Sequence, residues 1–233
     1  MKAVILAGGK GTRLKPYTTV IPKPLVPVGE KAIIEILMNR LRKSGVDEVY
    51  ICLNHFAELI IAFLGNGTKF GVKINYIIED QPLGTVAPVK LIHDLPENFL
   101  VMNGDLLTNL DFRILFDRHV ASNALLTISA YKRTTRIDFG VIDVDQTTDM
   151  AIGFHEKPVY DFEVSMGVYA MNRKVLDLVP DRTPFGFDNL MFTMFEQKKE
   201  ILVFRFDGYW LDIGRPDDYE RANDDYEKLK DIF

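Results

Sequence analysis

The sequence predicts an α/β fold built on a mixed, mainly parallel central sheet with helices on both faces. Three observations predict it. Apolar runs alternate with stretches of helical periodicity over the first half of the chain, the rhythm of repeated βαβ units. A glycine-rich turn, Gly8-Gly9-Lys10-Gly11, follows the first of these runs directly, and open parallel sheets bind ligands at such strand ends. Beyond residue 122, short strand-like runs follow one another with little helix between them, so the second half reads as more antiparallel.

Taken in order, Lys2 to Leu6 is a five-residue apolar strand. Residues 32–44 place Ile33, Ile36, Leu37, Arg40 and Leu41 at helical spacing, and Gly45 supplies the C-cap. Strand at 48–53, helix at 57–64, strand at 73–78, helix at 86–95 and strand at 99–103 continue the alternation. A helix at 112–122 precedes strands at 125–131, 139–143, 151–155 and 165–171. Helices at 175–178 and 190–197, strands at 201–206 and 209–211, and a helix over 217–229 end the series. No repeat, low-complexity tract or linker marks a boundary, so a single domain over 1–233 is expected. A nucleotide-binding half over about 1–110 and an acceptor half over about 111–233 would share one sheet.

Composition narrows the function. The chain is 47% apolar, enough for a real core, and its net charge of −5 argues against a nucleic-acid surface, which needs basic patches. The one cysteine, Cys52, lies in the run Val49 to Leu53 and reads as a small core residue without a disulfide partner. No segment has the roughly 18 consecutive apolar residues of a membrane span, and the start reads as a strand rather than a signal peptide, so a cytoplasmic protein is expected. His55, His93, His119 and His155 show no metal-ligand spacing. The stripe of Phe and Met between Phe185 and Phe195 reads as core or as a subunit contact, which would suit a homodimer.

The first loop carries the chemistry. Three glycines within four residues let backbone N–H groups approach a polyanion, and Arg13 and Lys23 add positive charge. A Walker loop is excluded, because Arg13 and Leu14 stand where Lys-Ser/Thr is required. The dinucleotide fingerprint fails as well, since Leu14 occupies the position of its third glycine. Leu6, Ala7, Gly8, Gly9, Gly11 and Thr12 are therefore candidates for binding a nucleoside triphosphate. Arg13 is placed to neutralise charge on a departing pyrophosphate, and Lys23, stiffened by Pro22 and Pro24, would present an ammonium to phosphate. Asp105 ends an apolar strand, a position that suits Mg²⁺, and Asp212 in Trp210-Leu211-Asp212-Ile213-Gly214 is the second carboxylate.

Gly-Gly-x-Gly-Thr-Arg-Leu followed by Pro-Lys-Pro-Leu resembles the signature of the sugar-1-phosphate nucleotidyltransferases, and the resemblance runs from Met1 to about Ala222. It implies a Rossmann-like fold of the nucleotide-diphospho-sugar transferase type. It also implies that Arg13 and Lys23 are catalytic and that Asp105 and Asp212 are the Mg²⁺ ligands. Glu79, Gln81, Gly84 and Thr85 fall in the loop that reads the base in that family. A carboxylate at Glu79 accepts hydrogen bonds and suits the N1–H and N2–H₂ edge of guanine, so GTP is the expected donor, although Gln81 is near enough to take the role. For the sugar phosphate the resemblance implies Asn103, Gly140 in Phe139-Gly140-Val141, Glu156 and Lys157 in Glu156-Lys157-Pro158, and Ser165 and Gly167. Ser165 stands where the family more often has asparagine, and Ala32 follows Lys31 where proline is usual.

The expected reaction is Mg²⁺-dependent transfer of a nucleotidyl group to a sugar 1-phosphate with release of pyrophosphate. A guanylyltransferase for mannose 1-phosphate or a related heptose phosphate is the first expectation. A thymidylyl- or uridylyltransferase for glucose-like sugars and a non-catalytic nucleotide-sugar-binding subunit are the alternatives. A glycosyltransferase fits less well, because the loop suits a triphosphate.

Overall fold

The computed structural model describes residues 1–230. Its strands are β1 (Lys2–Leu6), β2 (Pro27–Val28), β3 (Lys31–Ala32), β4 (Glu48–Leu53), β5 (Lys73–Ile78), β6 (Asn98–Asn103), β7 (Leu106–Thr108), β8 (Leu126–Arg136), β9 (Gly140–Val144), β10 (Ala151–Glu156), β11 (Val159–Asn172), β12 (Ile201–Phe206) and β13 (Trp210–Asp212). Its helices are α1 (Ile33–Lys43), α2 (Ala57–Leu64), α3 (Phe112–Ser122), α4 (Phe187–Glu196) and α5 (Pro216–Leu229). Seven strands form one sheet in the order β12-β8-β11-β6-β1-β4-β5. Six run one way, and β11 runs against its neighbours β6 and β8.

Strand β1 lies between β4 and β6 and is buried at Ala3, Val4 and Ile5. Its alternation divides the core. Ala3 and Ile5 pack with Leu37 and Leu41 of α1, Ile60 of α2 and Phe112 of α3, whereas Val4 packs on the other face with Val89, Leu190 and Met194. A smaller core, including Leu14, Ile33, Leu107, Leu211 and Tyr226, fastens α5 to the first loop and to the β7–β13 pair. From β1 the chain moves out to β4 and β5 on one side, while β6 joins on the other, so the crevice beyond the ends of β1 and β6 is a topological switch point. The N–H of Ala7 donates to Cys52 O at 2.9 Å and that of Gly104 to Leu6 O at 3.0 Å, which hold the three strand ends together.

Two expected helices are 3₁₀ rather than α. The segment predicted at 86–95 is a 3₁₀ turn, Ala87–Leu91, because Pro88 interrupts the pattern and the N–H groups of Val86 and Ala87 both donate to Phe185 O. The one predicted at 175–178 is a 3₁₀ helix, Arg173–Leu178, capped by Asn172. The strands of the second half run further than expected. Outside the main sheet, β8 and β11 continue as a ribbon, and the β9–β10 pair extends it. Among the described residues, no helix is long and apolar enough to cross a membrane.

Candidate active site

At the switch point the structure has a cavity of about 460 Å³. Leu6, Ala7, Gly8, Gly9, Gly11 and Thr12 form one wall, and Asn103, Gly104 and Asp105 another. Gly8 is fixed by close approach: a Cβ there would lie 3.0 Å from Glu79 Oε1 and 3.3 Å from Asn54 Cβ. Gly11 takes φ +62°, a left-handed conformation favourable to glycine, and opens the 3₁₀ turn Thr12–Leu14 that carries Arg13. Thr18 braces that turn by donating from its hydroxyl to Gly11 O at 2.7 Å.

Lys23 sits in the 3₁₀ turn Lys23–Leu25, and its ammonium is buried. It ion-pairs with Asp105 and lies 3.9 Å from Asp212 Oδ1. Both aspartates therefore face the ammonium. They meet because β7 pairs antiparallel with β13, bringing Asp212 opposite Leu106, and because Ile213 N–H donates to Asp105 O at 3.2 Å. The Oδ1 atoms of Asp105 and Asp212 are both buried without a hydrogen-bond partner. Burial and the neighbouring Asp105 charge hold the Asp212 carboxyl above the usual carboxylate range, against the opposing charges of Lys23 and Arg13. Arg13 also lies against Gly214, a Cβ on which would be 3.9 Å from its guanidinium nitrogens. Two unpartnered buried carboxylate oxygens beside a phosphate-type loop fit a hard divalent cation completed by phosphate and water oxygens.

The opposite wall is the loop after β5. Glu79 is buried; its Oε2 accepts from Leu83 N–H at 2.9 Å, and its Oε1 is turned toward Gly8. Burial raises its carboxyl above the ordinary glutamate value, opposed by the Leu83 N–H. Gly84 has φ +87°, and a Cβ there would approach Phe185 O to 2.9 Å, so this turn is held against the segment before α4. Thr85 also lines the cavity, and its hydroxyl accepts from Phe187 N–H at 2.8 Å. Gln81 is exposed and does not line the cavity.

The acceptor-side residues are more dispersed. Gly167, at φ +69°, packs against Asn103: a Cβ would lie 2.6 Å from Asn103 Nδ2. The Ser165 hydroxyl shares a hydrogen bond of 3.1 Å with the Tyr169 hydroxyl and accepts from Gly167 N–H at 3.3 Å, and the Tyr169 ring stacks on Phe187. Gly140, Glu156 and Lys157 lie out on the exposed ribbon and, with Ser165 and Gly167, are outside the cavity lining. Gly140 is paired with Glu156 across β9 and β10. Sequence reasoning missed Cys52, Asn54 and Gly214, which line the cavity; Cys52 lies in β4 opposite Leu6 and Asn54 follows the strand's end, so the parallel register with β1 could have pointed to them. Burial pushes the Cys52 thiol up, so it forms wall rather than nucleophile.

A family model described as nucleotidyl transferase matches residues 2–229. The chain belongs to the nucleotidyl transferase family. It is 35% identical over 228 residues to the mannose-1-phosphate guanyltransferase of Candida albicans and 34% identical over 227 residues to that of Saccharomyces cerevisiae. Each alignment covers 94% of this chain; the chain spans 62% of the Candida relative and 63% of the Saccharomyces one. Among solved structures, HddC from Yersinia pseudotuberculosis is similar with a TM-score of 0.75 and 29% identity, over 97% of this chain and 99% of that one. A putative glucose-1-phosphate thymidylyltransferase from Bacillus anthracis, in complex with a sucrose, has a TM-score of 0.77 and 25% identity, covering 96% of this chain and 94% of that one. The sheet is that of the nucleotide-diphospho-sugar transferase fold, mainly parallel with helices on both faces.

Proposed function

We propose that this nucleotidyl transferase family chain moves a guanylyl group from GTP to a sugar 1-phosphate, giving a nucleotide sugar and pyrophosphate. Mannose 1-phosphate or a related manno-configured or heptose 1-phosphate is the acceptor. The observation that carries the reading is the meeting of Arg13, Lys23, Asp105 and Asp212 beside a glycine loop at one switch point. The acceptor phosphate is already an anion, so an oxygen can attack the α-phosphorus in line without a general base, and pyrophosphate leaves. Positioning and charge stabilisation then dominate the catalysis. The Gly8–Gly11 backbone receives the triphosphate, Arg13 neutralises charge on the departing pyrophosphate, and Lys23 keeps a positive charge beside the reacting phosphates. Asp105 and Asp212 would hold Mg²⁺ through their unpartnered Oδ1 atoms. When bound, the ion supplies charge neutralisation at the phosphates.

Glu79 supports guanine. Its Oε2 is taken by Leu83 N–H, so the ionised Oε1 is left to accept from guanine N1–H or N2–H₂. The fungal relatives are named guanyltransferases, and one HddC structure is titled as complexed with GMP-PN, which favours the same base. Asn103 would meet the acceptor at the cavity wall, with Gly167 packed behind it and Gly140, Glu156, Lys157 and Ser165 reaching the acceptor from the ribbon side. A thymidylyl- or uridylyltransferase for glucose-like sugars is the second reading, favoured by the similarity to the Bacillus protein. Pyrophosphate release with Mg²⁺, measured across GTP, UTP, dTTP, CTP and ATP against a panel of sugar 1-phosphates, tests both. Release with GTP and a manno-configured acceptor is expected; release with dTTP or UTP alone selects the second reading. Triphosphate binding without any release would point to a non-catalytic subunit.

A further inference from the structure

The proposed reaction leaves Asn54, a polar side chain of the cavity wall, without a role. Asn54 follows the last residue of β4 and stands beside Glu79, which follows the last residue of β5. The two strands are parallel, with Leu53 opposite Ile78. Their ladder runs one step further, since Glu79 N–H donates to Leu53 O at 2.8 Å, and the Asn54 side chain extends it by donating from Nδ2 to Glu79 O at 3.0 Å. A carbonyl oxygen can only accept, so the amide must turn its NH₂ to Glu79 O and its Oδ1 away. Among the described residues Oδ1 has no hydrogen-bond partner, and solvent reaches it. Asn54 therefore offers the cavity a fixed acceptor.

Glu79 offers a second acceptor at the same place. Its Oε2 is held by Leu83 N–H at 2.9 Å, and its Oε1 is turned toward Gly8. A Cβ on Gly8 would lie 3.0 Å from Glu79 Oε1 and 3.3 Å from Asn54 Cβ, so the bare glycine backbone gives both side chains one shared opening. Resting on the guanylyl reading above, we propose that Asn54 is a second base-reading residue: Glu79 Oε1 accepts from guanine N1–H while Asn54 Oδ1 accepts from N2–H₂. Two adjacent donors on one edge belong to guanine alone among the common bases. Uracil and thymine carry a single N3–H between two carbonyls, and adenine and cytosine set an amino group beside a ring nitrogen that accepts. Each of these would bring an acceptor against one of the two fixed acceptors. The pair thus selects by repelling the wrong base as well as by holding the right one.

Inosine triphosphate, which is GTP without the 2-amino group, tests the assignment. Pyrophosphate release by the parent protein is expected to favour GTP over the inosine nucleotide by about tenfold or more in kcat/KM, the effect of one lost hydrogen bond with its acceptor left unpaired. In Asn54→Leu that ratio should collapse to near one. Glu79→Gln disturbs the N1–H contact that both nucleotides share, so it should lower both and keep the ratio. Calorimetric affinities give the same ratios without turnover, and Asn54→Ala serves where Asn54→Leu does not fold. Release with UTP or dTTP and none with GTP would overturn the guanylyl reading and this inference with it. Equal use of GTP and the inosine nucleotide by the parent, or a ratio that survives loss of the Asn54 amide, would overturn this inference alone; the second result would leave Asn54 as a clasp on the strand ladder.

Discussion

The two ends of the sheet handle charge in opposite ways. At the cavity a buried ammonium, Lys23, pairs with Asp105 and approaches Asp212, and each aspartate has a buried oxygen without a hydrogen-bond partner. On the ribbon, Lys132 with Asp161 is also an ion pair and His155 with Asp143 a hydrogen-bonded pair, but every partner is at least half exposed. Water screens the second kind, so those pairs contribute little to stability and serve chiefly to keep one side of the ribbon soluble. It screens the first kind poorly, and leaving charged groups there incompletely paired costs folding energy. The proposed reaction gives that cost a reason, because phosphates and a cation would partner the oxygens that lack hydrogen bonds. The contrast separates a site from a scaffold by the physics of the pair rather than by its distance.

Breaking the buried pair should give the largest effect. Lys23→Met leaves Asp105 and Asp212 facing one another without their ammonium. Removing one partner of a buried pair costs about 3–5 kcal/mol, and Asp105 retains some exposure, so a loss of up to about 3 kcal/mol at pH 7 is expected, together with loss of turnover. The loss should shrink on acidification, because protonation removes the repulsion between the carboxylates. Urea unfolding at pH 7 and at pH 4 measures this; equal midpoints for variant and parent at both values would erase the contrast.

Next in size is Glu79→Gln, which sharpens the comparison by neutralising a buried carboxylate without removing its shape. The amide oxygen can keep the Leu83 N–H, but the amide NH₂ then points where guanine presents donors. A hydrogen bond to a charged group is worth about 1.5–3 kcal/mol, so the KM for GTP should rise about 10- to 100-fold while that for UTP or dTTP stays level or improves. Stability should move the other way. The Glu79 carboxyl is raised by burial, so its contribution to stability is full below the ordinary value near 4.5 and is lost as pH rises through the raised one. Glu79→Gln is therefore expected to melt higher than the parent at pH 7.5, with the advantage vanishing below the ordinary value. Thermal melts across pH check the sign.

These predictions rest on features that the sequence revealed unevenly. The strands at 2–6, 48–53, 73–78 and 201–206 were legible residue for residue, because each is a short apolar run bounded by turn-forming or polar residues. The ribbon was half legible: Tyr160, Asp161, Phe162, Glu163 and Val164 alternate with a period of two, yet the reading began the strand at Ser165. Three-residue β7 was missed because so short a run carries no period, and it is this strand that sets Asp212 beside Asp105. Gly8, Gly11 and Asp105 announced themselves through loop chemistry at strand ends, and Glu79 and Gly84 through the resemblance to the family's base-reading loop. The pairing of Lys23 with residues 82 and 189 positions away could not be read locally, since it depends on a sheet, a turn and a hairpin closing at one point. Gly140, Glu156 and Lys157 were legible as motifs, but their place outside the cavity lining follows from the length of the ribbon, which was not.

The smallest expected effect belongs to the ribbon pair of His155 with Asp143, 2.9 Å apart with both side chains about half exposed. His155→Ala removes an interaction that high-dielectric water already weakens, so its unfolding free energy should change by less than about 0.5 kcal/mol. Urea unfolding of the parent and the variant measures it. Should His155→Ala destabilise the protein as strongly as Lys23→Met, the exposed pair would be behaving as a buried one and the contrast between ribbon and cavity would fail. An unchanged midpoint, alongside the loss at Lys23, leaves the cavity as the place where charge matters.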